Sequence, residues 1–299
     1  MSTPLPGAFA GAQTEITRAL EAVFDGPTKN SAALTAPNEQ DRVLAAMRYT
    51  LLAPSKRVRA VLVMLSAEVC GDGSRALGAA VAVECIHAAS LILDDLPSMD
   101  DAPLRRGRPS AHVAHGEAVA VLAAFGLLNL AYGHLARAYT PAIAAKITAL
   151  YSDAVGLDGL IAGQAEDVLA TDAAIDFNTL ERIHRRKTGV LFSAAAQAGA
   201  VTAGANDAAI ASLTSYAKNL GLAFQIVDDL LDVVGTEEET GKTVRADARK
   251  TTFVSFSGVD GARELAAELC LTAEHSLGPF GARANALREL AHFVAGRRM

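Results

Sequence analysis

Tryptophan is absent from this chain, aromatics are scarce, and cysteine occurs three times. With aromatics at 5% of residues, the core has to be filled by Ala, Leu and Val. Small side chains let helix axes approach closely, so this composition favours packed helices. Cys70, Cys85 and Cys270 lie far apart, are odd in number and form no CxxC pair. That excludes a disulfide framework and a cysteine metal site, and the expected location is a reducing cytoplasm. Excess positive charge is also missing. The net charge of -6 gives no support to nucleic-acid binding, which usually wants a basic face. No basic segment followed by an apolar run opens the chain, so no signal peptide is expected. The longest uncharged apolar stretch, Ala118 to Tyr132, falls short of the ~20 residues of a membrane span. It is expected to be a buried core helix rather than a span.

No run alternates with period two for long enough to build a sheet. Helical periodicity takes its place. Apolar residues recur at three- and four-residue spacing through 42–52, 58–70, 76–93, 116–139, 142–169, 178–203, 207–234, 260–276 and 282–296. Gly71, Gly73, Pro103, Gly107, Pro141, Gly204, Gly235, Gly278 and Pro279 separate these runs. With 51% hydrophobic residues and no long linker, the spacing predicts one all-α domain over 38–299. Residues 1–37, rich in Pro, Thr, Ala and Gly, are expected to be loosely ordered apart from a short helix near 13–24. The runs 78–93 and 118–132 are apolar on nearly every face, which suits helices in the middle of a bundle. Glu84 and His87 interrupt the first, and buried ionisable groups need partners or a task.

Two acidic clusters stand out. Asp94-Asp95-Leu96-Pro97-Ser98-Met99-Asp100-Asp101 follows the first of those helices. Four carboxylates in eight residues repel one another unless cations neutralise them. Pro97 prevents a regular helix, and the turn it forces can return Asp100 to the side of Asp94. In Asp228-Asp229-Leu230-Leu231-Asp232, the first and last acids stand at i and i+4 on one helical face. A small set of hard oxygen ligands suits magnesium, which keeps waters and is completed by substrate phosphates. Either cluster alone reads equally well as a solvated helix end. Both lie among Leu, Ile, Val and Phe, which favours the metal. Zinc is excluded by the lack of Cys and His ligand spacing, His112 and His115 being read as polar loop residues.

Basic residues accompany the acids: Lys56, Arg57 and Arg59 before them, Arg105, Arg106 and Arg108 directly after, then Lys187, Lys242 and Lys250. Arg offers a diphosphate forked hydrogen bonds, and Lys offers a point charge. Acids for a metal beside bases for phosphate make a constellation for diphosphate chemistry. Competing phosphate motifs fail. Gly241-Lys242-Thr243 lacks the first glycine of a P-loop, where Thr236 stands, and Gly71-Asp72-Gly73 lacks the third glycine of a dinucleotide fingerprint.

In order along the chain, APSKRVR, ECIHAASLILDDLPSMDDAPLRRGRPSAH, GQAEDV, HRRKTGVLF, FQIVDDLLD and GKTVRADARKTT resemble motifs of the trans-isoprenyl (polyprenyl) diphosphate synthases. DDLPSMD and DDLLD look like that family's two aspartate-rich motifs, and the likeness runs over roughly 38–299. The resemblance implies a helical bundle around a deep cavity, usually a homodimer. It implies condensation of isopentenyl diphosphate with an allylic diphosphate. Asp94, Asp100 and Asp228 would hold magnesium (Mg2+), and Asp95, Asp229 and Asp232 its waters. Arg105, Lys187, Gln225 and Lys242 would hold the allylic diphosphate, with Thr188 near the forming cation. Lys56, Arg59, His87 and Arg106 would bind isopentenyl diphosphate.

The chain departs from that pattern in places. Ser55 replaces the usual Gly, Ala60 the usual Pro, and Ala124-Phe125 the usual Gly-Asp. Thr243, Arg245 and Ala246 also differ, while Asp247 and Lys250 persist. The metal-binding acids are complete, so an active enzyme is expected. In the resembled family, a bulky aromatic at the position of Ala89 stops growth at fifteen carbons. Ala89 and Ser90 are small here and stand about one turn before Asp94, which implies a twenty-carbon product, geranylgeranyl diphosphate. Three alternatives remain: farnesyl diphosphate or another length, with a residue such as Phe125 setting the stop; a non-catalytic regulatory subunit; and a terpene cyclase. Against the last, DDLLD differs from the NSE-like triad of cyclases.

Overall fold

The computed structural model describes residues 7–25, 39–171, 173–234 and 250–296. Among these, the chain is a stack of helices: α1 (Ala10–Ala22), α2 (Glu39–Leu51), α3 (Val58–Cys70), α4 (Leu77–Asp94), α5 (Ala111–His115), α6 (Glu117–Ala138) and α7 (Pro141–Val155) come first. Then follow α8 (Leu160–Leu169), α9 (Phe177–His184), α10 (Val190–Thr202), α11 (Asp207–Val234), α12 (Phe253–Ser276) and α13 (Asn285–Ala295). Strand structure among the described residues is one tiny hairpin, β1 (Leu104–Arg105) against β2 (Arg108–Pro109).

Local chemistry sets the boundaries. α7 begins on Pro141, where the missing N–H is not needed. Asp176 caps α9 by accepting from Thr179 N at 2.7 Å, and Thr252 and Ser255 form a capping box on α12. The expected helix 142–169 breaks in two, because Gly159 turns back against the Ala154 carbonyl, where a Cβ would collide. α12 starts earlier than the periodicity indicated and bends at Gly258, whose φ is 68°.

α4 is the spine. Ala79 to Ile86, Ala88, Ala89 and Ile92 are all buried on it, as its all-round apolarity required. It packs on α3 and α6, α10 packs on α3 and α11, and α11 lies along α12. The α3–α10 crossing depends on Gly199, where a Cβ would strike the Val63 carbonyl and come within 2.9 Å of Ser66 Cβ. The few large aromatics have polar tethers. Tyr151 Oη donates to Ala79 O at 2.9 Å, and Tyr216 Oη donates to Leu287 O at 2.6 Å. Within the N-terminal segment, α1 joins the main core through Ile16 and Leu20.

α6 departs from the sequence reading. It was expected in the core, yet only 33% of its most apolar window is buried, against 67% for Gly73–Asp94. Leu122 and Phe125 on its outer face are 54% and 64% exposed. The helix is apolar on nearly every side, but the α2, α4, α5 and α7 that pack against it leave the face carrying Leu122 and Phe125 uncovered among the described residues. Phe125 therefore cannot be a floor inside this chain.

Candidate active site

The first acidic cluster folds back as Pro97 required. α4 stops at Asp94, Asp100 N donates to Asp94 O at 3.0 Å, and Ala102 N donates to Asp95 O at 3.2 Å. Asp94 and Asp100 thus share one side despite their spacing. The hairpin that follows turns on Arg106 (φ 55°) and Gly107 (φ 72°), the two left-handed positions of a type I′ turn. It is docked on α2, where Tyr49 Oη donates to Pro109 O at 2.7 Å and the Arg108 guanidinium lies 4.1 Å over the Tyr49 ring. This delivers Arg105 to the buried Asp95, which its Nε meets at 2.9 and 3.1 Å while its Nη2 closes the fork.

The facing wall is built on an irregular helix. Residues Arg185–Gly189 make a single π turn between α9 and α10. Such turns recur at functional sites because they re-aim side chains. Two glycines let neighbours close on it. A Cβ on Gly163 of α8 would collide with the Lys187 backbone nitrogen, and one on Gly221 of α11 would lie 3.1 Å from Gly189 Cα. Consecutive residues of the turn reach opposite acid clusters. Lys187 Nζ lies 3.2 Å from Asp94 Oδ1 and 2.8 Å from Asp167 Oδ2. Thr188 Oγ1 donates to Gln225 Oε1 at 3.0 Å, and Gln225 Nε2 donates to Asp229 Oδ1 at 2.9 Å. The second Asp229 oxygen accepts from Phe253 N at 3.0 Å. Asp95 and Asp229, expected to hold metal waters, both have protein partners that fix Arg105 and Gln225. Asp228 and Asp232 are half-buried on the same helix.

Two members of the site were not assigned from sequence. Asp167 and Lys250 complete a chain of ion pairs, with Lys250 Nζ 2.8 Å from Asp167 Oδ2 and 2.7 Å from Asp100 Oδ1. Burial would raise the Asp167 carboxyl, but Lys187 and Lys250 hold it down at about 2. Burial would likewise lower the Lys187 ammonium, yet Asp94, Asp167 and Asp100 raise it above the usual lysine range. The signal for Asp167 was its place in GQAEDV, one of the motifs that carry the family resemblance.

The second group of bases gathers beside α4. The Arg59 guanidinium lies 4.6 Å over the Phe192 ring, with Nη1 3.4 Å from His87 Nε2. Burial lowers Arg59 to about 10, a fall that Glu84 and Asp228 moderate. Burial also lowers Arg106 to about 10, with Arg57, Arg105 and Arg59 adding to it and Glu84 opposing. His87 is pushed well below the usual imidazole range by burial and then by Arg59, Arg106, Arg105 and Arg57. It is a neutral donor or acceptor beside fixed positive charge. Lys56 Nζ lies 5.2 Å over the Phe293 ring. Ala89 is fully buried, and Ser90 is half-buried with Oγ donating to His87 O at 2.8 Å. Lys242, with Thr243, Arg245, Ala246 and Asp247, lies outside the described residues. His112 pairs with Ser110, and His115 packs edge-on against Tyr49, which leaves them in the hairpin's support.

The donor set fits magnesium better than a softer ion. It consists of carboxylate oxygens, and the buried Asp94 Oδ1 accepts no hydrogen bond although Lys187 stands near it. Among the described residues no three His, Cys, Asp or Glu groups converge as a ready ligand set. An ion that retains waters and is completed by substrate phosphate needs no such set.

A helical bundle that draws two acid clusters, lysines and arginines around one π turn defines a protein that handles diphosphates. The sequence model of the polyprenyl synthetase family matches residues 40–268. The chloroplastic geranylgeranyl pyrophosphate synthase of Capsicum annuum is 42% identical over 260 residues, covering 84% of this chain and 70% of that protein. An FPP/GFPP synthase structure from Zymomonas mobilis matches with a TM-score of 0.80 at 33% identity, over 95% of this chain and 99% of the other. A geranyltransferase from Helicobacter pylori, complexed with magnesium and isoprenyl diphosphate, gives 0.79 at 27% identity, over 98% and 95%. The chain belongs to the polyprenyl synthetase family.

Asp167 makes a pH signature. Its folded pKa lies below the ordinary aspartate value of about 3.9, so its stabilisation is complete above that value and disappears as pH falls through about 2. In urea unfolding, Asp167→Asn is expected to cost on the order of 2 kcal/mol at neutral pH. The gap from wild type should narrow as pH falls below about 4. A pH-independent gap would contradict the ion-pair origin.

Proposed function

We propose that this chain is a trans-prenyltransferase that condenses isopentenyl diphosphate with allylic diphosphates to make geranylgeranyl diphosphate. The observation that carries the reading is the π turn, whose Lys187 and Thr188 connect the two acid clusters. Lys187, Arg105, Gln225 and Lys242 hold the allylic diphosphate, so that its charge is matched when the carbon–oxygen bond breaks. Magnesium held by Asp94, Asp100 and Asp228 would neutralise the leaving diphosphate. The Thr188 hydroxyl, oriented by its hydrogen bond to Gln225, presents its oxygen where positive charge develops on the allylic carbon. Lys56, Arg59, His87 and Arg106 orient isopentenyl diphosphate so that its double bond attacks at about 3–3.5 Å. The departing diphosphate is the base that takes the proton lost from the new chain. Apolar helix faces exclude water, which would otherwise trap the cation as an alcohol.

Product length is set near Ala89 and Ser90, which stand one turn before Asp94 on the spine. The likeness to a geranylgeranyl pyrophosphate synthase supports twenty carbons. Three unpaired thiols, Cys70, Cys85 and Cys270, support a reducing compartment such as the cytoplasm. The test is a reaction of labelled isopentenyl diphosphate with dimethylallyl, geranyl or farnesyl diphosphate and magnesium, with products resolved by length. Twenty-carbon product is expected. Ala89→Phe, or Ser90→Phe if the buried alanine cannot admit a ring, should shift it toward fifteen. An unchanged product profile from both active variants would place the stop elsewhere, and failure to condense any primer would overturn the function.

The outer face of α6 supports a homodimer. Val113, Leu122 and Phe125 form exposed apolar surface on α5 and α6, and a second copy of the same face would cover it. By sedimentation, wild type is expected to run as a dimer and Phe125→Glu as a monomer. A dimer that survives Phe125→Glu unchanged would place the interface on another face.

A further inference from the structure

Arg57 lies between Lys56 and Arg59 but has no part in the assignments above. It is 5% exposed, and its backbone is left-handed, with φ 54° and ψ 34°. A side chain with a Cβ resists that conformation unless its surroundings hold it. Arg57 Nη2 donates to Leu51 O at 2.6 Å and to Ala53 O at 3.1 Å, at the end of α2. Its Nη1 donates to Glu84 Oε2 at 3.2 Å. The other Glu84 oxygen accepts from Ala60 N at 3.3 Å. That N–H belongs to the first turn of α3, where no partner exists within the helix, and a proline there would have none to offer. Glu84 is 2% exposed and stands three residues before His87 on α4, one turn away. The same two elements meet again at Arg59 and His87. One buried pair therefore locks the α2–α3 turn to the helix that carries His87.

We propose that Arg57 and Glu84 are positioning residues for the isopentenyl diphosphate site, fixing the turn so that Lys56 and Arg59 meet the anion beside His87. The proposal rests on the assignment of Lys56, Arg59 and His87 to that substrate. Both residues act through their neighbours. Arg57 spends its donors on Leu51, Ala53 and Glu84, and the Glu84 carboxylate sits as counter-charge beside Arg59 and Arg106.

The test is steady-state kinetics with each substrate varied in turn against the other at saturation. The variants are Arg57→Lys, Arg57→Met, Glu84→Gln, the double change Arg57→Met with Glu84→Leu, and Arg59→Met. Removing both partners avoids a lone buried charge, so the double variant keeps the test open where a single one fails to fold. In the double variant, KM for isopentenyl diphosphate should rise roughly tenfold while KM for the allylic substrate stays within about twofold. Arg57→Lys, which keeps the charge and loses the fork, should recover part of the loss. An unchanged KM in the double variant, with Arg59→Met raised, would overturn the pair's role and leave the site assignment standing. An unchanged KM in Arg59→Met would overturn that assignment and the pair's role with it. Equal rises for both substrates would mark the pair as general scaffolding and overturn the proposal.

Discussion

Asp167 accepts from two ammonium groups, Lys187 and Lys250, and each of these also pairs with an acid of the first cluster. Without that exchange, three carboxylates would crowd one region and two half-buried lysines would lack counter-charge. The rest of the site is arranged to bring these groups within reach. Pro97 returns Asp100 to Asp94, Gly163 lets α8 touch the π turn, and the turn itself aims Lys187 across. Positive and negative groups are interleaved, so a diphosphate and its cations can enter by exchanging partners rather than by creating new charge.

The spine α4 sets the spacing of the chemistry. Glu84, His87, Ala89, Ser90 and Asp94 lie on one helix, ten positions from first to last, or roughly 15 Å. Their side chains are thereby held at fixed separations by a helix whose other residues are mostly buried alanine, valine and isoleucine. Small residues bring α3, α6 and α10 close around it, and a close-packed core resists displacement. A reaction that passes through a cation needs this rigidity, because a misplaced double bond or an admitted water ends it.

Much of this was legible in the residues. The apolar spacing marked nearly every helix, and the six-residue separation of Asp94 and Asp100 made sense once Pro97 was taken as a turn. What was not legible depends on partners distant in sequence. Asp167 and Lys250 are joined across 83 positions, which no local pattern reveals. The π turn leaves no clear mark in periodicity, because one extra residue turns an apolar spacing of three into four, and regular helices show both. α6 misled for a physical reason: all-round apolarity signals burial, and it cannot say whether the covering surface belongs to the same chain.

The central claim is that the two acid clusters and the π turn form one diphosphate site that cations complete. Thermal unfolding with magnesium alone, inorganic pyrophosphate alone, and both together tests it without turnover. A large rise in Tm is expected only with both present, since each supplies partners that the other lacks. Asp94→Ala should abolish that joint rise. A full rise with pyrophosphate in the presence of a chelator, or an undiminished joint rise in Asp94→Ala, would contradict the account.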